Sequence, residues 1–291
     1  YTHYGLYPVL DVRAETGLRR SSYKRSDTGD QEDFLWREKT LRFGASVPLS
    51  FRKGAVFIGL TPSLRTSSIQ AVATDDSPDF FDGNRIRTME YGLWAYRQQR
   101  SVPRDLRPRW GQSLNLHYRN TPFSGGDMGW IFAARANAFF PGIARHHSLR
   151  LSVAFQKREA GPRLSNTINY SFPGLIPYPR GITGERDEEA LVLMTDYALP
   201  LIHPDWNISG LFYLKRLSAT LFLDHALLKN RLVENGQGPT LQTRELTSYG
   251  IELMGNVHLF RFFAPFNLGV RTSYRPDTEK IRLEFLTSVN F

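Results

Sequence analysis

The sequence contains no cysteine, which removes disulfide frameworks, cysteine-ligated zinc and thiol catalysis from consideration. It also lacks a long uncharged apolar run. A spanning helix needs about 18–20 such residues, and the best stretches are broken at Arg135, at Asp196, or at Lys215 and Arg216, so an α-helical membrane protein is excluded. Helical periodicity is nearly absent. No Gly-x-Ser-x-Gly nucleophile signature occurs either.

What is present is unremarkable on average. Hydrophobic residues make up 41%, charged residues 22% and aromatics 13%, and mean hydropathy is −0.37. That is too apolar for disorder. It leaves a transmembrane β-barrel open, because only every second barrel residue meets lipid and the mean conceals them. Lys and Arg number 37 against 28 Asp and Glu, a net charge of +9. Such a balance suits nucleic acid, lipopolysaccharide phosphates or an ion-lined barrel interior. The basic residues are interleaved with acidic ones and form no single basic face, which argues against nucleic acid. The chain starts at Tyr1, without Met or a signal peptide, so the expectation is a mature or truncated product.

Period-two alternation runs through nearly the whole chain. In the last segment Ile281, Leu283, Phe285, Thr287, Val289 and Phe291 share one face, while Arg282, Glu284, Leu286, Ser288 and Asn290 share the other. Leu41, Phe43, Ala45, Val47, Leu49 and Phe51 repeat the pattern against Arg42, Gly44, Ser46, Pro48, Ser50 and Arg52. About twelve such segments can be placed, near 2–17, 38–52, 55–72, 85–100, 109–122, 128–141, 148–160, 188–202, 210–228, 246–262, 266–276 and 280–291. Most exceed the ~5–6 residues of ordinary strands, and several reach the ~9–11 that cross a tilted bilayer path.

The connections alternate in length. Short ones are 53–54, 142–147, 203–206, 265–266 and 276–279; long polar ones are 18–37, 73–84, 161–187 and 229–245. Short turns on one rim and long loops on the other describe an outer-membrane barrel. Aromatics gather near segment ends (Phe139, Phe140, Trp206, Phe260, Phe262, Phe263, Phe266), as an interfacial girdle requires. The fold expected is therefore all-β, a transmembrane antiparallel β-barrel over 1–291. A soluble sandwich would use shorter strands.

The longest connection, 161–187, carries prolines at 162, 173, 177 and 179 and apolar residues Phe172, Leu175, Ile176, Tyr178 and Ile182. A solvated loop has no use for that composition; one folded back into the barrel does. Asp196 and Asp224 lie on the polar phase of the next two segments. A guanidinium such as Arg180, flanked by Gly181, needs a fork-shaped anionic partner in a narrow interior.

These residues resemble the C-terminal barrel of the BamA/TpsB superfamily of outer-membrane assembly and translocation proteins. The resemblance rests on Pro179-Arg180-Gly181-Ile182, then Thr195-Asp196-Tyr197-Ala198-Leu199-Pro200-Leu201, then Phe222-Leu223-Asp224-His225-Ala226, then Tyr249-Gly250-Ile251-Glu252-Leu253, and the closing Val289-Asn290-Phe291. It covers 161–291, with Pro179, Ile182 and Ala226 departing from the family's Val, aromatic and Gly. It implies a loop lock of Arg180 and Gly181 with Phe222 and Asp224, Asp196 as neighbour, and Phe285, Val289 and Phe291 on a barrel-closing terminal strand. It also implies a sixteen-stranded barrel of which this chain holds part, and protein insertion or translocation without cofactor or metal. Client outer-membrane proteins, periplasmic or lipoprotein subunits, and outer-membrane lipid and lipopolysaccharide would be the partners, in a Gram-negative outer membrane. The early segment YGLYPVL resembles strands of barrels fused to periplasmic β-propellers in Bacteroidota, which keeps a barrel anchor open beside the translocase. A passive pore is a third reading.

Other residues invite duller readings. The 185–189 cluster reads as a solvated loop flank, His146-His147 as a surface pair, and Asp75, Asp76, Asp79 and Asp82 as a polar loop tip. An outer-membrane phospholipase would need Ser and His on the lipid side. Here His117 shares the lumenal phase with Ser113 and Asn115, so no enzyme is expected.

Overall fold

A computed structural model describes residues 8–24, 31–79, 81, 83, 85–102, 104–123, 127–161, 171–182, 187–208, 212–232, 240–259 and 266–289. The protein is all-β. The strands are β1 (Val9–Lys24), β2 (Gln31–Ser46), β3 (Leu49–Lys53), β4 (Val56–Ala73), β5 (Arg85–Gln99), β6 (Gly111–Asn120), β7 (Gly129–Pro141), β8 (Ser148–Ala160), β9 (Glu189–Ile202), β10 (Trp206–Ile208), β11 (Phe212–Leu232), β12 (Thr240–Leu259), β13 (Phe266–Arg275) and β14 (Lys280–Val289). All join one antiparallel meander, β1-β2-β4-β5-β6-β7-β8-β9-β11-β12-β13-β14, with β3 on β4 and β10 on β11. Twelve strands thus make the path, as the alternation predicts. Among the described residues no ladder joins β1 to β14, so the sheet is not closed on itself.

The two extra labels have local causes. Ser46 pairs with Ser63 and Leu49 with Leu60, so the register is unbroken across Val47-Pro48, and Val47 N–H still donates to Pro62 C=O at 3.1 Å. Pro48 has no N–H, which interrupts the ladder without ending the strand. β10 resumes the pairing of β9 with β11 after 203–205.

Each strand sends alternate side chains to opposite faces. One face is apolar and exposed on strand after strand: Val12, Phe43, Leu60, Leu151, Leu193, Leu221, Leu253 and Phe285. A continuous face of this kind is what hydrocarbon, and not water, solvates. The other face carries ion pairs in cross-strand rows, such as Arg65–Glu90–Arg119 at 3.4 and 2.9 Å and Glu252–Arg271–Glu284 at 2.8 and 3.1 Å.

Three expectations need correction. Residues 18–37 are not one long loop: β1 continues to Lys24 and β2 begins at Gln31. The charges that obscured these strands cancel across them, Arg19 with Glu38 and Arg20 with Asp33, both at 2.8 Å, and Phe34 and Trp36 are buried while Leu35 is exposed. Likewise 229–245 shrinks, because β11 runs to Leu232 and β12 starts at Thr240. The rims are also less distinct than expected. The short turn 276–279 lies at the same strand ends as 161–187, and the longer connection 100–110 lies at the other end. Phe260, Phe262, Phe263 and the first residues of YGLYPVL lie outside the described residues.

Candidate functional site

Segment 171–182 has no regular secondary structure. Proline at 173, 177 and 179 suits such a path, since it needs no ladder partner for its nitrogen. The segment is held against the polar face of the sheet by its apolar residues. Ile176 and Ile182 pack in a buried cluster with Ala133, Ala154, Val192, Met194, Ala226 and Leu228, and Phe172 packs with Ile86, Met128 and Ile131. Alanines on β7, β8, β9 and β11 leave room for the segment, and Ala226 is part of that wall. Leu175 N–H donates to Oε1 of the fully buried Gln156 at 2.6 Å.

The tip is a tight turn. Ile182 N–H donates to Pro179 C=O at 3.1 Å, and Gly181 has φ +80°. This is the type II pattern, which demands a left-handed residue third in the turn. A β-carbon at Gly181 would also lie 2.5 Å from Ser273 Oγ. Arg282 Nη1 donates to Gly181 C=O at 3.2 Å.

The turn delivers Arg180 to three strands. Its backbone N–H and Nε both donate to Asp224 Oδ2, at 2.9 and 2.8 Å, and Nη2 donates to Asp224 Oδ1 at 2.7 Å. Nη2 also donates to Asp196 Oδ1 at 2.5 Å and Nη1 to Glu252 Oε1 at 3.0 Å. The guanidinium carbon sits 3.9 Å from the centre of the Phe222 ring, a cation–π distance. The cross-strand partner of Phe222 is Gly250, where a β-carbon would meet the ring at 2.9 Å and Thr272 C=O at 1.9 Å.

Asp196 and Asp224 are both completely buried. Asp196 is further contacted by Arg150 Nη2 at 2.5 Å and Arg107 Nη2 at 2.9 Å. Buried carboxylates are tolerable only when paired and hydrogen-bonded. Here Arg107, Arg150, Arg180, Arg271 and Arg282 face Asp196, Asp224, Glu252 and Glu284, so every carboxylate of the network has at least one guanidinium partner.

Arg180, Gly181, Phe222, Asp224 and Asp196 therefore meet at one place. Phe285 is elsewhere, on the exposed apolar face at 84% exposure. Val289 pairs with Phe266, its side chain outside the described residues, as is Phe291. The sequence did not point to Glu252, Gly250, Arg150, Arg107 or Arg271 as partners. Glu252 shares the phase of Gly250 in a segment already singled out. Arg150 lies directly across from Asp196 only once the β8–β9 register is known.

Two surface readings also change. Asp187 is buried and accepts from Asn230 Nδ2 at 2.8 Å, which ties the exit of the loop to β11, while the side chains of Glu188 and Glu189 stay partly exposed as a solvated flank requires; 185–186 lie outside the described residues. His146 Nδ1 lies 2.8 Å from Asp105 Oδ1, and His147 Nδ1 2.8 Å from Tyr197 Oη. Burial alone would raise the Asp105 carboxyl. The His146 ring, the Val102 backbone N–H and the Arg109 charge outweigh it and hold Asp105 below the ordinary carboxylate value. Ser113 Oγ accepts from Asn137 Nδ2 at 3.0 Å, while His117 faces Glu90.

No protein-family model and no curated protein sequence matches this chain. Its structure is similar to that of CdiB from Escherichia coli, with a TM-score of 0.56 and 14% identity, over 98% of this chain and 51% of that one. CdiB is a β-barrel, and the likeness shows the barrel fold. This chain spans about half the length of that protein.

Proposed function

We propose that this chain is barrel wall and plug of an outer-membrane protein-translocating or protein-inserting system. The single observation that carries the reading is Arg180, delivered by an irregular segment and gripped at once by Asp196, Asp224 and Glu252 on β9, β11 and β12. Segment 171–182 fills the interior, and the Arg180 lock holds it there. The likeness to CdiB, an outer-membrane transporter of the TpsB family, supports transport of protein clients, as does the order of motifs from Arg180 to Glu252. The whole barrel would be sixteen-stranded, with this chain supplying twelve.

The work is physical and needs no covalent step. β1 and β14 each offer a strand edge in this sheet, and an edge is a template on which an extended client can add a strand. Clients are outer-membrane or secreted proteins, with periplasmic or lipoprotein subunits as accessories. The surrounding solvent is outer-membrane lipid and lipopolysaccharide.

The test is conductance of the full-length protein in planar bilayers, with Arg180→Ala and Arg180→Lys beside the wild type. Removing the fork takes from buried Asp224 its ion-pair partner among the described residues, while Asp196 keeps Arg107 and Arg150, so larger or more frequent openings and new protease cuts in 171–182 are expected. Unchanged conductance and unchanged cleavage would overturn the plug. The number of ion pairs that hold the lock favours one further reading, a permanently closed barrel that anchors a periplasmic or surface domain. Depletion of the full-length protein separates the two: loss of outer-membrane or secreted clients belongs to the translocase, and an intact inventory to the anchor.

A further inference from the structure

The apolar face is not uniform. Across β3 to β8 it holds a groove of about 830 Å³. Phe51, Ile58 and Leu60 form one wall and Leu151 and Val153 the other, and the floor between them carries Ala95, Ala136 and Ala138 beside Leu114. Toward the ends of the strands that carry turn 142–147, the groove runs into a smaller, more polar hollow of about 340 Å³ lined by Gln98, Gln99 and Trp110. Arg97 and Gln112, cross-strand partners, line both parts.

Arg97 is the unusual residue. It is on the same phase as Ala95 and Tyr91, so an exposed guanidinium projects from the apolar face. It makes no ion pair among the described residues, and no acidic side chain lines either hollow. A guanidinium at the edge of hydrocarbon calls for an anion with fork geometry, and phosphate provides it. Trp110, half exposed beside it, is the amphipathic aromatic expected at headgroup level. The same rim exposes Lys53, Arg100, Arg104 and Arg109, while Asp105 is occupied by His146. The field there is positive.

We propose that this groove and hollow bind one anionic phospholipid, its acyl chains lying over Ala95, Ala136 and Ala138 and its phosphate on Arg97. The inference rests on the reading that this face meets hydrocarbon, and it goes beyond it by fixing one lipid to one place.

The experiment uses the full-length protein in nanodiscs of phosphatidylcholine doped with phosphatidylglycerol, with native mass spectrometry of the released complexes. Wild type should retain one phosphatidylglycerol. Arg97→Gln should weaken retention about tenfold, the usual scale for one lost charge-assisted contact, and Ala136→Phe should do the same by filling the floor. Arg145→Gln, on the same rim but outside both hollows, should leave retention unchanged. Equal loss with Arg97→Gln and Arg145→Gln, equal retention of phosphatidylcholine, or a second copy of the chain seated on the groove would overturn the site while leaving the membrane reading intact. Failure to enter nanodiscs at all would overturn both.

Discussion

Arg180 is held by geometry that a point charge cannot reproduce. Its Nε and Nη2 take the two oxygens of Asp224 while the other edge reaches Asp196 and Glu252. Lysine keeps the charge but offers no fork. Arg180→Lys should therefore release 171–182 to protease nearly as well as Arg180→Ala, and equal protection of Arg180→Lys and wild type would contradict the lock. Gly181→Ala should cost about 1 kcal/mol or more, because φ is +80° and Ser273 occupies the space a methyl needs; thermal unfolding in detergent measures it. At the short-turn end, Asp105 titrates below the ordinary carboxylate value. A lowered value means the interaction stabilises the fold above about pH 4 and is lost as pH falls through the folded value. Hydrogen exchange in 100–110 should rise on acidification below pH 4 in wild type, and Asp105→Asn should remove that dependence.

The residue scale was partly legible. Arg180 beside Gly181 could be read as a guanidinium in need of an anionic fork, and the phases of Asp196 and Asp224 follow from alternation alone. Arg107 and Arg150 were not legible, because their meeting with Asp196 depends on the register of β8 on β9 and on the course of 100–110. Nothing in the residues themselves encodes either.

At the scale of strands, β11 and β12 are coupled through Phe222 and Gly250. Gly250 has no room for a side chain, with Thr272 C=O on one side and the Phe222 ring on the other. Gly250→Val should displace the ring, uncover Arg180 and loosen 171–182 even though no charge is altered; limited proteolysis checks it. β14 separates its faces just as clearly. Phe285→Arg should destabilise the barrel by about 2–4 kcal/mol if that residue sits at mid-membrane, whereas Leu286→Arg, on the ion-paired face, should cost much less. Refolding from urea into vesicles compares the two. Strand identity was readable wherever apolar residues alternated openly, and failed over 18–37. There the alternation persists in Phe34, Leu35 and Trp36 but is buried in charge whose neutralising partners lie across the ladder.

For the whole molecule, sequence pattern and structure agree on a twelve-strand antiparallel meander with two unlike faces. The faces are unlike: one is apolar and exposed, the face we propose meets hydrocarbon, while the other is ion-paired and partly covered by 171–182. The absence of cysteine allows the division to be read one residue at a time. Single cysteines placed at 281 to 286 in the full-length protein, each carrying a nitroxide in vesicles, report contact with lipid-soluble oxygen against a water-soluble nickel chelate. Labels at 281, 283 and 285 should favour oxygen, and those at 282, 284 and 286 should not. A profile that fails to alternate, or one with 283 and 285 shielded from oxygen, would contradict the lipid-facing assignment on which everything else stands.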